Sequence, residues 1–261
     1  MTDFKFLKLT VEEGVCVAAI NRPPVNALGR ELLKELELMV DEVKKDPSIK
    51  VVVLASAIQN VFIAGVDLKE MAQLTKKEDV IEVIRYGQAV FNKIEQCDKP
   101  ILAAIQGACL GGGQELVMAC HIRIASDNTR FAQPEIHLGI VPGFGGSQRL
   151  PRIVGASKAC ELILTGDLIT PQEALRIGLV SHVVSSGALL KTAKEIAKKI
   201  AKHGLPSIRA CMRALTKGLD LSLEEGLKVE ENEFSSISDT NDMKEGIRAF
   251  IEKRQPKFTD S

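Results

Sequence analysis

The sequence predicts an α/β fold followed by a helical layer. Three observations carry that reading: short apolar runs alternate with amphipathic stretches, glycine clusters follow the strand-like runs, and the signal from Ser157 onward is almost wholly helical. In order, residues 6–11 and 15–20 read as strands, 31–43 as a helix, and 51–55 as a strand buried on both faces. A long amphipathic helix over 78–97 follows, and Pro100 introduces an apolar strand at 101–105 that runs into the glycine cluster at 107–113. Residues 122–125 form a further short strand, and 138–146 a glycine-rich connection. Strand-then-helix units thus recur without a strict period. Helices are expected near 171–177, 187–202, 206–218, 222–237 and 240–253, two of them opened by capping-box signatures at Thr170-Pro171-Gln172-Glu173 and Ser222-Leu223-Glu224-Glu225.

Composition excludes several classes. The 261 residues carry 34 Lys+Arg against 34 Asp+Glu and are 45% hydrophobic, so the chain can bury a full core and sets up no global field to attract nucleic acid or acidic lipid. One Tyr, nine Phe and no Trp leave few platforms for stacking on bases, and nucleic acid is not an expected partner. No apolar run spans a bilayer and no secretory signal opens the chain, so a cytoplasmic protein with no membrane partner is expected. Six scattered cysteines lack C-x-x-C or zinc-finger spacing and read as reduced, mostly buried thiols. The four histidines show no metal spacing; His137 stands near Glu135, either to tune it or as a satisfied structural group. The lysines at 44–45 and 198–202 read as solvated helix faces.

Three junctions combine glycine with an isolated acid. In Gly111-Gly112-Gly113-Gln114-Glu115, three glycines between a strand and a helix free the helix's first N–H groups to hold an oxyanion. Such a turn can also serve only close packing, and Glu115 can be a simple helix-start charge. Glu135 follows Pro134, has apolar neighbours and precedes a glycine-rich turn, which is how a partly buried carboxyl of raised pKa is presented. The segment Phe62 to Met71, containing Asp67, is a third strand end turning into a helix, either a second source of oxyanion donors or an ordinary helix start. Two isolated acids beside one apolar cleft suit proton transfer in both directions.

With these residues in view, the sequence resembles the enoyl-CoA hydratase/isomerase, or crotonase, family over essentially its whole length. The likeness lies in six ordered motifs: Asn21 to Leu28, Ala64 to Met71, Gly107 to Glu115, Gln133 to Gly139, Pro142 to Leu150, and Leu164 to Val180, with Phe250 to Arg254 also similar. It implies a repeated ββα superhelical core over 1–195 and a C-terminal helical trimerisation region over 196–261, assembled as a homotrimer or a homohexamer built as a dimer of trimers. It implies an acyl-CoA thioester substrate, its carbonyl oxygen held by the backbone N–H groups of Val66 and Gly112. Glu115 and Glu135 match the two glutamates of the hydratase subgroup, so the implied reaction is reversible addition of water to a trans-2-enoyl-CoA, with no metal and no redox cofactor. The CoA portion would lie against Val25, Ala27, Ala64, Val66, Asp67 and Leu68, with Lys253 of a neighbouring subunit near a phosphate. Departures are a 22–26 loop one residue shorter than in stand-alone mitochondrial-type hydratases, His121 where Asp is commoner and Gln114 where Cys is frequent. The competing readings are a Δ3,Δ2-enoyl-CoA isomerase using Glu135 alone, an RNA-binding relative using the lysine-rich helices, and a catalytically silent assembly subunit.

Overall fold

The computed structural model describes residues 3–261. Strands β1 (Leu7–Glu12) and β2 (Val15–Ile20) form an antiparallel hairpin, turned by Glu13 and Gly14 at φ 50° and 78°, the left-handed pair that a two-residue hairpin loop requires. Strands β3 (Val51–Ser56), β5 (Ile101–Ile105), β7 (Ile122–Ser126) and β9 (His182–Val184) then add in parallel, giving a sheet of order β1-β2-β3-β5-β7-β9. A second, parallel sheet consists of β4 (Val61–Ala64), β6 (Ala108–Leu110) and β8 (Arg130–Ala132). After the β1–β2 hairpin, each of the pairs β3–β4, β5–β6 and β7–β8 therefore sends its first strand to the large sheet and its second to the small one. This is the ββα repeat that the resemblance implies.

The helices follow from the same pattern. Helix α1 (Arg30–Lys45) crosses from β2 to β3 and buries Leu32, Leu33, Leu36, Met39, Val40 and Val43, one apolar stripe at helical spacing. After β4 come the short α2 (Leu68–Met71) and α3 (Lys77–Glu95). After β6 comes α4 (Gly112–Ala119), and after β8 a 3-10 turn (Pro134–Leu138) and α5 (Gly146–Val154). Both faces of the large sheet are covered. Val52, Leu54, Ile101, Ala103 and Ile105 face the main core, whereas Val51, Val53, Leu102 and Ala104 face α8 (Leu189–Ala201) through Leu189, Ala193 and Ala197. Burial on both sides is why these strands read as unbroken apolar runs. The boundary expected at 195–196 falls inside α8, which packs on the sheet as one piece.

The remaining helices are α6 (Ala156–Thr165), α7 (Pro171–Arg176), α9 (Leu205–Gly218), α10 (Leu223–Ile237) and α11 (Asn241–Ile251). Ser222 and Glu225 form the full capping box; at α7 only half of it forms, since Thr170 accepts the Glu173 N–H while the Glu173 carboxylate pairs with Arg176 at 2.7 Å. An arginine one turn further on is the better partner for that carboxylate than a backbone amide.

The structure corrects the expected element list in two respects. Strands β6, β8 and β9 are three residues each and were not foreseen, because so short a segment shows no alternation. β9 interrupts the stretch expected to be almost wholly helical, while α5 begins at Gly146, where only a connection was expected, and carries Pro151 in its interior. Four cysteines are buried, but Cys160 and Cys211 are exposed. Lys198 and Lys194 pair with Glu13 and Glu12 across to the β1–β2 hairpin.

Candidate active site

The three junctions singled out in the sequence meet at the start of α4. Gly111 takes φ 50° and hands the chain into the helix, whose eight residues are all buried. A side chain at Gly111 would press on Glu135 Oε1, at 2.7 Å from its Cβ; one at Gly112 would stand 3.1 Å from Val66 Cγ1; and one at Gly113 would collide with the Ile63 carbonyl of β4. Three consecutive glycines thus let α4 approach β4, Val66 and Glu135 at once.

The Val66 N–H is left over by strand pairing. Leu28 forms a parallel bridge with Val66 in which the Leu28 N–H donates to Gly65 O (2.9 Å) and the Asp67 N–H to Leu28 O (2.8 Å). That pattern uses the amides on either side of the bridge and leaves the one at Val66 pointing away. Gly112 opens α4, so its N–H has no partner within the helix. Neither group has a hydrogen-bond partner among the described residues. Ala64 and Val25 are joined by a 3.1 Å backbone bond, so Val25, Ala27, Ala64, Val66 and Asp67 lie along one seam. Asp67 is committed to structure. It caps α2 through the Lys69 and Glu70 N–H groups and pairs with Arg22 at 2.7 Å, and the Arg22 hydrogen bond is the main cause holding its pKa below the usual carboxylate range. Leu68 is exposed beside it, and Lys253 stands apart, exposed beyond α11 at φ 54°.

Glu115 lies one turn into α4, 1% exposed. Its Oε1 accepts two backbone hydrogen bonds, from Phe144 N (2.8 Å) and Gly146 N (2.7 Å), while Oε2 has no donor among the described residues. Burial pushes its pKa up to about 7; the Gly146 N–H opposes this, the Glu135 charge adds to it, and the Phe144 N–H and Arg149 oppose it. Glu135 sits on the 3-10 turn with its pKa raised by burial, its own backbone N–H opposing. Its Oε2 is buried with no partner among the described residues. Two carboxyl groups with unfilled oxygens and raised proton affinity therefore lie near the start of α4, where the free N–H of Gly112 meets the segment after β4 that carries the free N–H of Val66. Such a constellation can move protons on and off a substrate while holding an oxyanion beside it.

Sequence reasoning missed what aims Glu115. The glycines at 143, 145 and 146 were visible, but the direction of a backbone N–H is not written in residue type. Gly146 is needed for contact, since a Cβ there would lie 3.0 Å from Glu115 Oε1 and 2.5 Å from Gln133 Oε1. His137, left open between two roles, and His121 are both tied to backbone. His121 Nδ1 accepts the Ile101 N–H and its Nε2 meets Glu95 O, and His137 Nε2 meets Thr165 O at 2.8 Å. No group of three or more His, Cys, Asp or Glu among the described residues is placed to hold a metal ion.

The profile of the family described as enoyl-CoA hydratase/isomerase matches residues 10–261. The chain is 43% identical to the short-chain-enoyl-CoA hydratase of Clostridium acetobutylicum over 251 residues, 95% of each chain. It is 41% identical to the crotonyl-CoA hydratase of Syntrophomonas wolfei over 251 residues, 96% of each. Its structure superposes on the crystal structure of an enoyl-CoA hydratase from Bacillus anthracis with a TM-score of 0.94 at 37% identity, covering 98% of this chain and 100% of the other. With the family profile matching residues 10–261 and relatives above 40% identical over nearly their whole length, this chain belongs to the enoyl-CoA hydratase/isomerase family.

Proposed function

We propose that the protein is an enoyl-CoA hydratase that adds water reversibly across the double bond of a trans-2-enoyl-CoA to give the 3-hydroxyacyl-CoA. The observation that carries this is the pair of carboxyls, buried Glu115 and half-buried Glu135, beside the unpaired N–H groups of Val66 and Gly112. In the forward direction Glu115 takes a proton from water and the oxygen bonds to C3. The electron pair of the double bond moves toward the thioester oxygen, where the Val66 and Gly112 N–H groups stabilise the developing charge. Glu135 gives a proton to C2; Glu115 then releases its proton to solvent and Glu135 regains one, which restores both groups. The double bond is already activated by its thioester, so this acid–base chemistry calls for no metal or redox group, and CoA is part of the substrate. Exposed apolar side chains just past Glu135, at Ile136, Leu138, Ile140 and Val141, and Leu68 near Val66 suit an acyl substrate. The CoA portion lies along Val25, Ala27, Ala64, Asp67 and Leu68.

The test is the loss of conjugated enoyl-thioester absorbance when the protein meets crotonyl-CoA, the short substrate that two relatives' names suggest. Rapid loss is expected. Failure to hydrate it, with turnover of a 3-enoyl-CoA instead, would replace the reading by an isomerase.

The active assembly is a homotrimer or a dimer of trimers. Helix α10 has no buried residue, and Leu219, Leu223, Phe234, Phe250 and Ile251 of the C-terminal region are all more than 40% exposed, an apolar surface that a monomer would leave in water. In such an assembly Lys253 of one subunit reaches a CoA phosphate bound by another. Light scattering is expected to give three or six times the 28.4 kDa chain mass, and a monomeric mass would overturn the proposal. No helix among the described residues is long and apolar enough to cross a membrane, and the six free cysteines suit a reducing compartment such as the cytoplasm.

A further inference from the structure

The loop that aims Glu115 is itself gripped by one side chain. Arg149, 9% exposed on α5, donates from Nη1 to the Phe144 carbonyl at 3.0 Å, and the Phe144 N–H donates to Glu115 Oε1 at 2.8 Å. The rest of the guanidinium is anchored to α3. Nη2 meets Asn92 Oδ1 and Glu95 Oε2, both at 2.6 Å, and Nε meets Glu95 Oε2 at 3.1 Å. Gly145, at φ 111°, leaves room for this, because a side chain there would collide with Nη1. The Phe144 ring is held as well, edge-on to Phe91 of α3 with centroids 5.6 Å apart.

We infer, building on the hydratase reading, that Arg149 is a positioning residue for the reaction, fixing through the Phe144 carbonyl the loop whose two N–H groups aim Glu115 at its water. One residue, Phe144, separates the guanidinium from the carboxylate, so a shift of the Arg149 head is passed directly to the base. Misplacement by about 1 Å suffices to cost about 10²-fold in rate. Arg149 also sets the local field. The charged groups facing Glu115 are Arg149 from α5 and Glu135 from the 3-10 turn; Glu95 faces Arg149 from α3, and His121 meets Glu95 through its backbone carbonyl.

The experiment compares wild type with Arg149→Met, Arg149→Lys and Glu95→Gln in crotonyl-CoA hydration across pH, with the Glu115 carboxyl carbon followed by 13C NMR. Arg149→Met is expected to lower kcat by about 10–10²-fold with KM nearly unchanged, and to move the acidic limb of the rate profile to higher pH, because loss of the cation favours protonated Glu115. Arg149→Lys keeps the charge and so the limb, but recovers only part of kcat, since an ammonium cannot span Phe144, Asn92 and Glu95 together. Glu95→Gln gives a smaller loss of kcat. A folded Arg149→Met enzyme with wild-type kcat and limb would overturn the inference, as would a loss confined to KM. Should the Met variant not fold, wild-type kcat in both Arg149→Lys and Glu95→Gln overturns it. Inactive wild type sinks the hydratase reading alone, because the Glu115 NMR titration still reports whether Arg149 acts on that carboxyl.

Discussion

Glu115→Gln is expected to lower crotonyl-CoA hydration by about 10²–10⁴-fold, the usual worth of a positioned acid–base group. The amide oxygen can still accept the Phe144 and Gly146 N–H bonds, so the geometry survives and the base is lost. The same substitution has a second, opposite effect on stability. Burial pushes the Glu115 pKa up to about 7 in the folded protein from an ordinary 4.5, so the native state holds its proton more tightly than the unfolded chain. Its contribution to stability is therefore full below the unfolded value and is lost as pH rises through the folded one. Gln carries no charge and escapes that penalty. Urea midpoints between about pH 5 and about pH 8 should show the variant gaining on wild type by on the order of 1–3 kcal/mol. Parallel curves would mean that Glu115 is not buried as a charged group. Retained hydration would remove it as the base.

The second large effect is expected from Gly113→Ala. The added methyl would strike the Ile63 carbonyl and lie 2.8 Å from Ile63 Cβ, so α4 and β4 must separate. Overpacking of this kind costs about 1–3 kcal/mol, and here it acts on backbone that cannot turn aside. It also has a chemical consequence. β4 runs into Val66 and α4 opens at Gly112, so pushing them apart widens the spacing of the two free N–H groups. Activity should fall by about 10²-fold even where the protein remains folded. Gly187→Ala is the control, since nothing lies within 4 Å of its new Cβ. A Gly113→Ala protein matching that control in urea midpoint and kcat would contradict the proposed packing.

Much of this molecule is legible from residue order. β3 and β5 announce themselves because both faces are buried, and α1 because one face is. The Ser222 capping box is local chemistry between residues three apart, and it forms as expected. The short strands of the second sheet are not legible in that way: β8, Arg-Phe-Ala, becomes a strand only because β6 lies beside it in register. The Thr170 box fails in half for a related reason, since the Glu173 carboxylate finds arginine rather than backbone. The acids were found because isolated carboxyls beside glycine-rich turns are unusual. Their donors were not, because Phe144 and Gly146 stand 29 and 31 residues from Glu115 and act through backbone that any residue possesses.

The sequence by itself determined the alternating strands and helices, the glycines that permit close approach, and the two carboxyls available for proton transfer. All of these rest on residue type and near-neighbour spacing. Only the tertiary structure decided which backbone N–H groups of Val66 and Gly112 go unpaired, that Glu115 is buried deeply enough to titrate near 7, and that Arg149 grips the loop behind it. Hydrogen-bond satisfaction and desolvation are set by neighbours distant along the chain, and those neighbours exist only once it has folded.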